Sequence, residues 1–141
     1  MERKVVLVVE ADPRARAPIG GWLEAQGYEV LTCPGPMPPG YRCVIGRGRR
    51  CALADAADVV VLDTWLESSD VMEGTPPDEL LAAYLALDLP VVLLRRGEVG
   101  GLPPDERVRG VRWPPDREAL LQAVEGLLGP AARGRRPRAG S

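Results

Sequence analysis

The chain has 141 residues and a formal net charge of −2, and its composition is most informative in what it lacks. It contains no histidine and a single lysine, Lys4. Without histidine the chain can build no Ser/His/Asp triad, no Cys/His nucleophile pair and no imidazole metal site. Without a Gly-Lys-Ser/Thr sequence it has no Walker-type phosphate loop. Many common classes of enzyme are therefore excluded.

The overall composition predicts one folded domain followed by a tail. An apolar content of 45% indicates a globular domain, which we place at residues 1–129. Its apolar runs are much shorter than a membrane span, and no secretory signal is present, so we expect a cytoplasmic protein without membrane contact. Residues 130–141 contain four arginines and no acid, which predicts a basic, disordered tail. Residues 1–130 carry 14 basic and 20 acidic side chains, a net charge of −6, which argues against nucleic-acid binding.

The first part of the chain predicts a strand, a helix and a second strand. Lys4–Val9 is a β-branched run typical of a buried strand. Asp12 suits the N-cap and Pro13 the first turn of a helix, which is predicted over residues 14–26 and ends before a glycine. Residues 28–33 predict the second strand.

A long insertion interrupts this pattern before regular structure returns. Residues 34–51 are rich in cysteine, proline and glycine. Beyond them, a short helix is predicted over residues 52–57, and a buried strand over residues 59–62 ends at Asp63. The sequence Pro76-Pro77-Asp78 is typical of the start of a third helix.

The last third of the domain predicts two more strands and a helix. Residues 90–94 are apolar throughout, which predicts a strand buried on both faces. Residues 107–112 alternate polar with apolar side chains and predict a strand at a sheet edge. The sequence from Trp113 to Asp116 precedes a final helix with an apolar face.

Strands that alternate with helices predict an α/β fold. We expect a five-stranded parallel sheet with helices on both faces, in a three-layer sandwich. In such sheets ligands bind beyond the carboxyl ends of the strands. The candidate site residues that follow the strands are Glu10, Asp12, Cys33, Asp63, Arg95, Trp113 and Pro114.

These segments resemble the receiver domains of bacterial response regulators over about residues 3–129. Residues 6–13 resemble the family's opening strand and acidic turn, and residues 57–63 the strand that delivers its phospho-accepting aspartate. Residues 90–94 resemble the fourth strand, and residues 110–121 the fifth strand and last helix. The resemblance implies a flavodoxin-like, receiver-like sandwich with strand order 2-1-3-4-5.

The resemblance also implies which residues form a phosphorylation site. Asp63 stands at the phosphoacceptor position, and Glu10 and Asp12 belong to the acidic turn. In the family such carboxylates hold Mg²⁺, which offsets the repulsion between the aspartate and the incoming phosphoryl group. Glu10 and Asp63 are therefore the candidate metal ligands. Mg²⁺ is expected only if Asp63 is a functional phosphoacceptor, and no other cofactor is expected.

Most of the family's switch groups are replaced in this chain. Ala11 stands at the position of the second acid, and Arg95 at that of the Ser/Thr after the fourth strand. Trp113 replaces the lysine after the fifth strand, and the following Pro114, which in the family is commonly cis, is kept. Arg95 suits either an ion pair with Asp63 or the binding of phosphate.

These replacements predict an atypical receiver, or pseudo-receiver, of a bacterial signal-transduction system. We expect a stand-alone domain, a monomer or weak homodimer, that contacts a protein partner independently of phosphorylation and is not an enzyme. One alternative is a genuine single-domain response regulator that is phosphorylated at Asp63. The other is a thiol-based redox sensor.

The redox alternative depends on Cys33, Cys43 and Cys51, whose spacing matches no zinc motif. Four interpretations stay open for them. They are inert half-buried thiols, a disulfide for which Cys43 and Cys51 form the easiest loop to close, a reversible redox switch, or ligands of a metal or iron–sulfur cluster.

Overall fold

The computed structural model describes residues 3–10, 12–33, 51–63, 77–95 and 105–128. Nine elements follow one another along these residues: β1 (Val5–Val9), α1 (Pro13–Ala25), β2 (Glu29–Cys33), α2 (Ala52–Ala56), β3 (Val59–Asp63), α3 (Pro77–Ala86), β4 (Val91–Arg95), β5 (Val108–Arg112) and α4 (Arg117–Leu128). Each element that the sequence predicts is present, and the predicted ends of the strands differ from these bounds by at most one residue.

Most of one predicted segment and all of another lie outside the described residues. The insertion 34–51 is described only at Cys51, so Cys43 is not among the described residues. The predicted tail 130–141 lies outside them entirely. Within the described ranges, no helix combines the length and the apolar character needed to cross a membrane.

The five strands form one parallel sheet in the order β2-β1-β3-β4-β5. This order confirms the expected flavodoxin-like fold. β3 lies at the centre of the sheet and is buried at every residue, because its apolar side chains are covered on both faces. β5 lies at an edge, where Val108 and Val111 are buried and the three other residues are exposed. The edge position predicted for this strand is therefore confirmed.

A hydrophobic core fills each face of the sheet. On one face, which we call the α1–α4 face, Val6, Val8 and Val61 pack against buried side chains of α1 and α4. On the opposite face, the α2–α3 face, the alternate strand residues pack against Ala54 and Tyr84. Successive strand residues point to opposite faces, so the position of a residue along its strand decides which face it joins.

Both ends of α1 follow local sequence signals. The Asp12 carboxylate accepts a hydrogen bond from the backbone N–H of Arg14 at 2.9 Å, as an N-cap should. At the other end, Gly27 adopts a φ of 96°, a left-handed conformation that glycine reaches without steric cost. Asp12 thereby fixes where the chain turns from β1 into α1.

Arg107 ties the end of α3 to the start of β5. Its guanidinium donates to the Asp105 carboxylate at 2.8 Å, to Asp88 Oδ1 at 2.9 Å and to the backbone carbonyl of Leu85 at 2.8 Å. These hydrogen bonds from the Arg107 side chain and backbone hold the pKa of Asp105 at about 2, below its usual range.

Candidate functional site

The buried polar centre of the described residues is a pair of carboxylates, Glu10 and Asp63, at the carboxyl ends of β1 and β3. These strands are neighbours, and their register sets Val9 opposite Leu62, so the next residue along each is Glu10 and Asp63. Strand alternation brings both to the α1–α4 face, and each is 0% exposed. The structure therefore brings together two of the predicted site residues.

Hydrogen bonds with three other residues fix the strand end that carries Glu10. The Glu10 backbone N–H donates to the carbonyl of Cys33 at 2.9 Å, and the Glu10 carbonyl accepts from the Arg16 guanidinium at 2.8 Å. Its Oε2 accepts from the backbone N–H of Asp12 at 3.2 Å. Its other carboxylate oxygen, Oε1, is buried and receives no hydrogen bond. Backbone and side-chain contacts together keep this carboxylate inside the turn after β1.

Asp12, the other acid of the predicted turn, is engaged by α1. Besides capping the helix, its carboxylate forms a bidentate pair with the Arg14 guanidinium, with both N–O distances at 3.2 Å. This pairing raises the pKa of Arg14 above its usual value. The Asp12 carboxylate therefore stabilises the start of α1.

Arg95 lies at the end of β4, one residue beyond Leu94, which pairs with Asp63. Leu94 belongs to the α1–α4 core, whereas Leu93 belongs to the α2–α3 core. Arg95 is the last residue of the strand and is half-buried at the carboxyl edge of the sheet. Its neighbour in register on β5 is Arg112, so two arginines stand side by side at this strand end.

Trp113 follows β5 and closes the α1–α4 face near the carboxyl edge. Its backbone N–H donates to the carbonyl of Arg95 at 2.7 Å, and its half-buried side chain packs against the core. The Trp113–Pro114 peptide bond is cis, as the resemblance implied. An indole therefore packs where the family has a lysine, and it brings no positive charge to the carboxylates.

A pocket that was not predicted from the sequence lies beside this site. It has a volume of about 430 Å³ and opens between the start of α1 and the turn that follows β5. Its lining residues are Asp12, Arg14, Ala15, Pro18, Ile19, Trp22, Trp113, Pro114 and Pro115. Only the spacing of Pro18 and Trp22, four residues apart on one helix face, signals the α1 side of this pocket in the sequence.

The described residues do not fit a magnesium ion of the family type. Mg²⁺ requires several oxygen ligands in near-octahedral geometry. Ala11 supplies no carboxylate, Asp12 caps α1 and pairs with Arg14, and only Glu10 and Asp63 are left. Among the described residues, no group of three or more acidic or thiol side chains is placed to hold a metal.

Two of the three predicted cysteines are described, and both lie on the α2–α3 face. Cys33 ends β2 and Cys51 immediately precedes α2. Each is half-buried and packs against the same hydrophobic cluster, and neither is joined in a disulfide.

Comparison with solved structures places this sheet in a known fold class, the receiver fold. A response regulator receiver domain protein from Bacillus halodurans superposes with a TM-score of 0.66 at 17% identity, over 89% of this chain and 97% of that one. The PhyR receiver domain of Erythrobacter litoralis matches with a TM-score of 0.64 at 14% identity, over 97% and 98% of the two chains.

A third similar structure is the receiver domain of a sensor histidine kinase from Pseudomonas aeruginosa, which holds a magnesium ion in its active-site cleft. Its TM-score is 0.62 at 20% identity, over 91% of this chain and 99% of that one. No protein-family model and no curated protein sequence matches the chain. The chain therefore has the fold of response-regulator receiver domains, as its sequence motifs indicated.

Proposed function

We propose that this protein is a pseudo-receiver, a signalling domain that binds a protein partner without being phosphorylated. The observation that carries the proposal is the enclosure of Asp63, which is 0% exposed and lies beside Glu10 in a site without a lysine. A phosphoryl donor must approach the acceptor carboxylate, and a positive charge must offset the repulsion between them. In this chain Asp63 is enclosed, and no lysine stands at the family's position.

The proposed function also does not use the conformational switch that follows phosphorylation in the family. That switch uses a hydroxyl after the fourth strand, which moves to hydrogen-bond the phosphoryl oxygens. Arg95 occupies the position in this chain and supplies no hydroxyl. The partner-binding surface is accordingly fixed, and the abundance of protein or partner sets the signal.

The partner class follows from the fold and the charge of the domain. Receiver domains act in signalling pathways through protein partners, and the six excess negative charges of residues 1–130 disfavour nucleic acid. We place this domain in a bacterial cytoplasm, as a monomer or weak homodimer. A phosphorylated Asp63 is the competing function.

Beryllofluoride with Mg²⁺ tests the proposal, because it mimics a phosphoryl group on a competent aspartate. We expect the amide NMR spectrum of the protein to be unchanged when both are added, while a receiver with the full family set of residues shifts. Asp63→Asn is the matched control. Saturable shifts at the ends of β1 and β3 that disappear in Asp63→Asn would overturn the proposal.

A further inference from the structure

Cys33 and Cys51 are separated in the sequence but lie on the same face of the sheet. Seventeen residues, 34–50, separate them along the chain. Both pack against the hydrophobic cluster of the α2–α3 face, Cys33 from the end of β2 and Cys51 from the residue before α2. Two thiols that share one cluster are a different feature from the carboxylates, which lie on the other face.

The path of the chain explains why the two thiols lie on the same face of the sheet. In the register of the sheet, Cys33 stands opposite Val9, and Val9 belongs to the cluster that α2 covers. Ala54, one turn into α2, is buried in that cluster, which fixes the start of the helix above β1. Cys51 begins this turn, and its side chain makes no capping hydrogen bond. Its sulfur is thus not committed to the helix end.

From this juxtaposition we propose that Cys33 and Cys51 form a reversible intramolecular disulfide when the protein meets a hydroperoxide. One thiolate attacks the peroxide, the O–O bond breaks, and a sulfenic acid forms. The second thiolate attacks that sulfur, the S–S bond forms, and the S–O bond breaks. In total, two thiols lose two electrons and two protons, and one molecule of hydrogen peroxide becomes two of water.

The disulfide has consequences for both the fold and the carboxylate site. It ties the end of β2 to the start of α2 and so closes the segment 34–50 into a loop. A closed loop of this size restricts the unfolded chain, which raises the Tm by an amount on the order of 10 °C. The carbonyl of Cys33 also accepts the Glu10 backbone N–H, so the bond acts on the strand end next to that carboxylate.

Peptide mapping of the oxidised wild-type protein tests the proposal directly, because trypsin separates the three cysteines. Cleavage at arginine leaves Cys33 in residues 17–42, Cys43 in residues 43–47 and Cys51 in residues 51–95. After hydrogen peroxide treatment and alkylation of remaining thiols, we expect a linked pair of the peptides 17–42 and 51–95 that dithiothreitol separates. The Tm is expected to rise on oxidation and to fall again on reduction.

Single variants define the pair. In Cys43→Ser the linked peptides and the rise in Tm are expected to persist, whereas Cys33→Ser and Cys51→Ser lose both. A linkage that includes peptide 43–47, or a covalent dimer on a non-reducing gel as the main product, would overturn the proposal. Full alkylation of all three thiols after peroxide treatment would overturn it as well. The result is independent of the proposed pseudo-receiver function, since the peroxide reaction needs neither Asp63 nor a partner.

Discussion

At the scale of single residues, the position of a side chain along its strand decides its role. Val92 and Leu94 pack into the α1–α4 core, whereas their neighbours Val91 and Leu93 pack into the α2–α3 core. A shift of one residue along a strand reverses the face of every side chain. The same rule brings Glu10 and Asp63, the residues that follow Val9 and Leu62, to the α1–α4 face.

Substitutions can separate the capping role of the Asp12 oxygen from the effect of its negative charge. We expect Asp12→Ala to lower the free energy of unfolding by about 1 kcal/mol, because the first turn of α1 loses its N-cap acceptor. Asp12→Asn keeps a side-chain oxygen at that place and should stay within a few tenths of a kcal/mol of the wild type. Urea unfolding at neutral pH measures both values.

A different result would contradict the capping role of Asp12. If Asp12→Asn destabilised the protein as much as Asp12→Ala, the negative charge and not the capping oxygen would be the important property. The contacts with the Arg14 backbone and side chain favour the capping role.

At the scale of elements, the hydrogen bonds of Arg107 connect α3 to β5. The low pKa of Asp105, about 2, arises from its hydrogen bonds to the Arg107 side chain and backbone. A carboxyl group whose pKa falls on folding stabilises the folded state above its unfolded pKa. That stabilisation is lost as the pH falls from about 4, near the unfolded value, through about 2.

We therefore expect Asp105→Asn to flatten the acid limb of the stability curve. Between pH 4 and pH 2, the Tm of the wild type should fall more steeply than that of the variant. Glu106→Gln is the control, because it removes an exposed carboxylate next to Asp105 and leaves the Arg107 contacts in place. Calorimetric Tm values across this range measure the difference, and parallel curves for wild type and Asp105→Asn would contradict the assignment.

The elements themselves were predictable because their signals are local. The apolar run before Glu10, the cap at Asp12 and the turn at Gly27 each depend on a few neighbouring residues, and the structure has all three. The cis Trp113–Pro114 bond followed from the resemblance.

Other features depend on contacts between distant segments and were missed. The pocket between α1 and the turn after β5 and the Arg107 contacts join residues whose relative positions only the packed sheet defines. The face on which each core residue of β4 packs required the bounds of the strand to within one residue, since those bounds fix the alternation. The sequence alone thus identified the residues that follow the strands but not which of them lie close together.

At the scale of the whole molecule, the chain has the receiver fold, while other residues stand at most positions of the family's switch groups. Its five-stranded order still delivers Glu10 and Asp63 to one edge of the sheet. The single lysine of the chain is Lys4, just before β1, and Trp113 stands at the position that needs a lysine. The composition and the geometry of the site therefore support the same proposal, a pseudo-receiver that binds its partner without phosphorylation.

The most direct test of this central claim is the intact mass of the protein after incubation with acetyl phosphate and Mg²⁺. We expect an unchanged mass, under conditions in which a receiver with the full set of family residues gains a phosphoryl group. A mass increase of one phosphoryl group per chain in the wild type, absent from Asp63→Asn, would contradict it.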